Sequence, residues 1–333
     1  MMNVFIQEFP KQLKTALEIG RSAKLTAHNK PLYNIVVLGL GGSGIGGDLV
    51  AELVRETCPV PMLSCKGYTL PQFVNEHSLV IASSFSGNTE ETLIMFEAAV
   101  KRGAKVVCIS SGGKIIERAK VLELNYIQVP AVQQPPRTCL GYSLVQQLFV
   151  LQFFGFAPKS CLADVERSIG LLEAHQARIQ TLAKQYTRQL QGKFPIIYTT
   201  ERMGAVALRF RQQLNENVKV LASHHLVPEM NHNELVGWTP QEGAQAVVIF
   251  QTKDDHPRNL KRLEINKEII GQVTDVILEV DCIGDSLIEQ VLYAVHLGDW
   301  ISYEWAVLRG VDPIEVDVID RLKGALAAAT LQE

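Results

Sequence analysis

The 333-residue sequence lacks the features that would tie it to an oxidising compartment, a nucleic acid or a membrane. Its cysteines are not paired: Cys58, Cys65, Cys108, Cys139, Cys161 and Cys282 are scattered, form no CxxC, and mostly lie in apolar surroundings. That pattern argues against a disulfide framework or a thiolate metal clamp, and reduced thiols in a cytoplasmic protein are expected. It has no basic excess, the formal net charge being -3. Nucleic acid is therefore not expected as a partner, and any anion must be recognised locally. It also has no apolar run long enough to span a bilayer, so no membrane partner is expected. The most hydrophobic stretch, LVQQLFVLQFFGFA from Leu144, is broken by Gln146, Gln147 and Gln152 and reads as a buried helix. The opening MMNVFIQEFPKQLK is broken by Gln7 and Glu8, unlike a signal peptide.

What is present is an ordinary globular composition at a length that favours two domains. Short apolar runs alternate with amphipathic stretches: Ile35 to Leu38, Leu79 to Ala82, Val106 to Ile109, Ile196 to Tyr198, Val247 to Phe250 and Val276 to Val280. Apolar strands that each lead through a turn into a helix predict an α/β fold with parallel sheets covered on both faces. A charged stretch, ADVERSIGLLEAHQARIQTLAKQYTRQL, separates the two groups of strands and places domains at 1–155 and 156–333. The halves also echo each other. IVVLGLGGSGIGGDLVAEL from Ile35 lies over IIYTTERMGAVALRFRQQL from Ile196 without a gap, and LVIASSFSGNTEET from Leu79 lies over VVIFQTKDDHPRNL from Val247. A duplicated unit is the expectation.

The loop GLGGSGIGG contains GxGxxG as Gly39, Gly41 and Gly44, after a predicted strand and opening a helix. A dinucleotide site also needs an acid at the end of the second strand, to hold the ribose hydroxyls. Here that strand reads PMLSCKGY, with Cys65 and Lys66 where the acid belongs, so no nicotinamide cofactor is expected. What survives is an anion site built from close backbone and a helix start. The stretch SSFSGNTEET, Ser83 to Thr92, follows another predicted strand, so Ser43 can meet Ser84, Ser86 and Thr89 beyond the strand ends. Hydroxyls with backbone N–H groups suit a phosphate monoester. Ser86 or Asn88 can also serve as a helix cap, but a cap needs a single hydroxyl.

Taken in order, GLGGSGIGG, SSFSGNTEET, PPRTCLGY, NHNELVGW and RGVDPIEVDVIDRLK resemble the bifunctional phosphoglucose/phosphomannose isomerases of the sugar isomerase (SIS) superfamily, over nearly the whole chain. The resemblance implies two SIS-type domains, each a flavodoxin-like α/β/α sandwich, in a homodimer with active sites at the subunit interface. It also implies isomerisation of hexose 6-phosphates with neither metal nor cofactor. Carried over, Gly42, Ser43, Ser84, Ser86 and Thr89 match the phosphate-holding positions. Arg137 matches the arginine beside the reacting carbons, and Glu234 the catalytic base. His256 matches the ring-opening histidine, supplied by the other subunit, and Lys323 a lysine that contacts the sugar. The residue types suit the chemistry: a carboxylate can move a proton between C2 and C1, a guanidinium holds a developing oxyanion, and a histidine can open the ring.

Read without the resemblance, Glu234 can be a first-turn helix acid, Arg137 the partner of a surface acid, His256 a helix cap and Lys323 a solvated lysine. In the second copy, Asp254 and Asp255 replace part of the hydroxyl cluster and would repel a phosphate. His224, His225 and His232, in what reads as a histidine-rich loop, have no ligand spacing, so no metal is expected. Between Ala306 and Lys323 there is neither the threonine nor the glutamine that the family associates with mannose 6-phosphate, which makes the glucose activity the firmer expectation. A sugar-phosphate sensor without catalysis, or an isomerase of another phosphosugar, are the alternatives.

Overall fold

The computed structural model describes residues 1–240 and 243–329. Two parallel sheets organise it. The first has the order β2-β1-β3-β4-β5, from β1 (Asn34–Leu38), β2 (Met62–Cys65), β3 (Ser78–Ser83), β4 (Lys105–Ser110) and β5 (Asn125–Gln128). The second has the order β7-β6-β8-β9, from β6 (Phe194–Thr200), β7 (Ser223–Val227), β8 (Gln245–Gln251) and β9 (Ile277–Asp281). Every adjacent pair is parallel. Renumbered from its first strand, the second sheet repeats the order of the first four strands of the first. The aligned segments at Ile35 and Ile196 fall on β1 and β6, and those at Leu79 and Val247 on β3 and β8. The duplication is thus written in topology as well as sequence.

Alternate side chains of each central strand enter different layers, as the two-residue period requires. Ile35, Val37, Leu79 and Ile81 join a core shared with Ile197, Val248 and Phe250 of the second sheet. Val36, Leu38, Val80 and Ala82 face the opposite way, onto Phe96 and Ile115. The shared core is filled by α2 (Phe9–Ser22), α6 (Leu140–Phe153), α7 (Ser160–Leu190) and α10 (Leu287–Arg309), with the short α1 (Met2–Gln7) at its edge. On α6, Gln146 and Gln147 are themselves buried and Gln152 is half-buried, and Gln146 donates to the Ala16 carbonyl at 2.7 Å. Among the described residues, no helix is long and apolar enough to cross a membrane.

The remaining helices are α3 (Gly41–Val54), α4 (Glu90–Lys101), α5 (Gly113–Val121), α8 (Gly204–Gln213), α9 (Pro257–Ile270) and α11 (Asp317–Ala328). Of these, α3 and α8 follow the first strands of the two sheets. They are counterparts in the duplication, and their N-termini fare differently.

Candidate active site

Gly39 to Gly41 turn the chain from β1 into α3, with Gly41 at φ +52°, a conformation that favours glycine. A side chain at Gly39 would stand 2.8 Å from the Ser83 carbonyl, so this loop packs against the end of β3. These are neighbouring strands at the point where the order reverses, where open α/β sheets bind ligands. Ser43 Oγ accepts from the Phe85 N–H at 3.2 Å. Ser84 Oγ shares a 2.9 Å bond with Thr89 Oγ1 and accepts from the Gly87 N–H at 3.1 Å. Ser86, exposed at the rim, accepts from the Asn88 N–H at 3.2 Å. At Gly87, φ is +71° and a Cβ would fall 1.9 Å from the Gly112 carbonyl.

Neither Ser86 nor Asn88 caps α4. Thr89 occupies that position and makes no side-chain cap bond. The hydroxyls are spent on one another and on N–H groups of the loop, leaving the first-turn N–H groups of α4 without a side-chain cap and open to an anion. Close to the same loop, a Cβ at Gly42 would lie 2.9 Å from the Pro136 carbonyl and 3.4 Å from Arg137 Cα. Gly42, Ser43, Ser83, Phe85 and Pro136 line one pocket. Lys66 follows β2 and pairs with Asp48 of α3.

Arg137 lies in a 3-10 turn, Pro136–Cys139, and is buried. Nε donates to Asn217 Oδ1 at 2.7 Å, Nη1 to Glu216 at 3.2 Å, and Nη2 to the Pro313 and Ile314 carbonyls. Burial pushes the guanidinium below its ordinary value and Glu216 pulls it back up. An arginine stays charged under such a shift. The reading of Arg137 as partner to a surface acid is therefore replaced by a buried cation gripped from the second half of the chain.

Glu234 does begin a helical turn, Glu234–Gly237, and Asn233 Oδ1 accepts its N–H at 2.6 Å. Its carboxylate is nonetheless specialised. Oε1 accepts from the Tyr198 hydroxyl at 2.6 Å, and that hydroxyl accepts from Trp238 Nε1 at 3.0 Å. The Tyr198 hydroxyl thus gives its one proton to Glu234 while its oxygen takes the Trp238 N–H. Burial and the Glu234 charge push the Tyr198 phenol well above its usual value. Oε2 is buried with no hydrogen-bond donor among the described residues; His225 Nδ1 is 3.2 Å away, within ion-pair range but outside hydrogen-bond geometry.

His224 and His225 belong to edge strand β7 rather than to a loop. Burial, with Arg211 and His225 nearby, lowers His224 to about 4. Among the described residues, no three His, Cys, Asp or Glu side chains converge as a metal-ligand set. Tyr198, Trp238 and Asn217 escaped the sequence reading, and His225 entered it only as a metal candidate. The duplication held one signal, since Tyr198 lies over the apolar Val37 of the first copy.

The second copy of the cradle is filled by the chain's own carboxylates. Asp255 is buried, accepting from Thr200 Oγ1 and from the Thr252 N–H at 2.8 Å. At the start of α8, both oxygens of Glu52 accept from the Ala205 N–H at 2.9 Å. Ala205 aligns with Gly44. Burial raises Glu52 to about 7. His256 caps α9 with Nδ1, accepting from the Arg258 N–H at 3.1 Å, and is exposed. Lys323 is exposed on α11 and pairs with Asp320 at 3.4 Å. One chain thus gathers Gly42, Ser43, Ser84, Thr89 and Arg137. No hydrogen bond or ion pair among the described residues joins Glu234, His256 or Lys323 to that group.

Residues 179–326 match the family model described as bacterial phospho-glucose isomerase C-terminal SIS domain. The bifunctional phosphoglucose/phosphomannose isomerase of Caldicellulosiruptor bescii is 35% identical over 97% of this chain and 98% of its own length. The enzyme of the same name from Aquifex aeolicus is 38% identical over 89% of this chain and 91% of its own. Among solved structures, a candidate phosphosugar isomerase from Clostridium difficile 630 shares the fold, with TM-score 0.78 and 17% identity over 100% of this chain and 99% of that one.

Proposed function

This chain belongs to the bifunctional phosphoglucose/phosphomannose isomerase family, and from that premise we propose that it interconverts glucose 6-phosphate, and mannose 6-phosphate, with fructose 6-phosphate. The observation that carries the reading is the divided carboxylate of Glu234, with Oε1 held by Tyr198 and Oε2 without a donor among the described residues. Such a group is oriented and still able to take a proton. Glu234 would remove the proton from C2 of the open aldose and return it to C1, through a cis-enediolate. Arg137, charged and fixed, would face the developing oxyanion. Gly42, Ser43, Ser84, Ser86 and Thr89 would hold the phosphate, the remote group whose binding orients the reacting carbons.

Ring opening would fall to His256 with Lys323. Both are exposed and remote from Glu234 in bonding, which fits a homodimer in which a second copy supplies His256 to the site. In this arrangement unit 1–155 grips the phosphate and unit 156–333 carries the base. The six free cysteines fit a cytoplasmic setting.

The test is a coupled assay that starts from fructose 6-phosphate and follows glucose 6-phosphate and mannose 6-phosphate separately, with EDTA and no added metal. Turnover to glucose 6-phosphate is expected. Tight sugar-phosphate binding with no turnover would replace the isomerase by a sensor.

A further inference from the structure

We propose that Asn217 is a positioning residue that sets the plane of the Arg137 guanidinium for catalysis, an inference that rests on the isomerase reading above. Arg137 comes from the first unit, yet side chains of the second unit hold it at both ends. Arg209 of α8 donates to its carbonyl at 3.0 Å, fixing the backbone. Asn217 accepts from Nε at 2.7 Å, fixing the head group. Glu216 also bonds the guanidinium, at Nη1, but it sits nearer solvent and holds a terminal nitrogen. A bond at Nε, the atom about which the plane turns, determines orientation more strictly than one at its tip.

Asn217 is itself prevented from turning. It is fully buried, and its Nδ2 donates to Ser302 Oγ at 2.9 Å. Ser302 donates to the Asp299 carbonyl at 2.7 Å, and the Asp299 carboxylate holds Arg209 and Gln213. With its N–H side committed to Ser302, only the amide oxygen can face Arg137; a flipped amide would set donor against donor. The residue is carried by a π-helical turn, Leu214–Val218, continuing α8. Such widened turns recur at functional sites because they re-aim side chains that a regular helix would point elsewhere. A neutral acceptor also suits the task. A carboxylate at this position would still orient the guanidinium and would cancel only part of the charge that the oxyanion needs.

The experiment compares wild type, Asn217→Leu, Asn217→Ser and Asn217→Asp. Leucine matches the volume and makes no bond, serine keeps the site polar but falls short of Nε, and aspartate restores the acceptor. Two readouts are taken: kcat and KM for fructose 6-phosphate, and calorimetric affinity for a five-carbon aldonate 5-phosphate against the corresponding alditol 5-phosphate. The aldonate carboxylate stands for the enediolate oxygens, and the alditol lacks them. Leucine or serine should lower kcat by about a hundredfold with little change in KM, the scale expected of a misaligned catalytic group. Both should erase the preference for aldonate over alditol while leaving alditol binding intact. Aspartate should recover kcat to within about tenfold of wild type. Should leucine fail to fold, serine carries the same comparison.

Unchanged kcat and preference in the leucine or serine variant would overturn the proposal, as would an aspartate variant no better than leucine. If the wild type turns over no hexose 6-phosphate, the isomerase reading fails by itself. The positioning of Arg137 is then still decided by the aldonate preference across the variants.

Discussion

Glu52 shows how one side chain can record the history of the fold. Its carboxylate, from the helix of the first cradle, occupies the N–H that an anion would take in the second. Burial raises it to about 7 from an ordinary value of 4.5. Between those values the folded chain keeps a proton that the unfolded chain has released, so this group favours folding most below about pH 4.5 and progressively less up to about pH 7. The loss is at most about 3 kcal/mol. Glu52→Gln keeps an acceptor and removes the titration. Its melting temperature should therefore gain on the wild type by a few degrees between pH 5 and pH 8, and parallel curves from a pH series of thermal melts would refute the assignment. Nothing in the sequence marked Glu52, an acid on an amphipathic helix. Glu234 was legible because it sits in a motif, whereas Tyr198 was not, because it completes an apolar strand.

Among the elements, the central strands could be read from their apolar runs because helices bury both faces. The edge strands β5 and β7 could not. NYIQ alternates buried and exposed positions, and SHHLV is mostly half-exposed and polar, so neither forms an apolar run. Helix α11 poses the opposite case: an amphipathic stretch whose apolar side chains stay exposed among the described residues. Val318, Leu322 and Leu326 follow a four-residue spacing along one face and are 81%, 59% and 52% exposed. A subunit interface would cover such a stripe. If α11 belongs to that interface, Leu322→Asp should shift the protein from dimer to monomer in light scattering and lower turnover in parallel. A variant that stays dimeric and fully active would remove α11 from the interface.

At the scale of the whole molecule, duplication lets each copy specialise: one keeps its cradle, and the other fills its cradle with Asp255 and Glu52 and carries Glu234 and His256. If a second copy supplies His256 to the site, the sharing has an arithmetic consequence. Glu234→Gln and His256→Ala are each expected to be inactive alone. Unfolded and refolded together in equal amounts, half of the dimers would be mixed, and each mixed dimer would contain one intact site of two, restoring about a quarter of wild-type activity. No recovery, despite mixed dimers seen by mass spectrometry, would place both residues in one subunit's site. The central claim, proton transfer by Glu234 through an enediolate, is tested most directly by isomerising fructose 6-phosphate in deuterium oxide and reading C2 of the glucose 6-phosphate product by NMR. Wild type should deliver deuterium to C2, and Glu234→Gln should bind substrate without exchanging it. Exchange retained by Glu234→Gln, or wild-type product free of deuterium, would contradict the account.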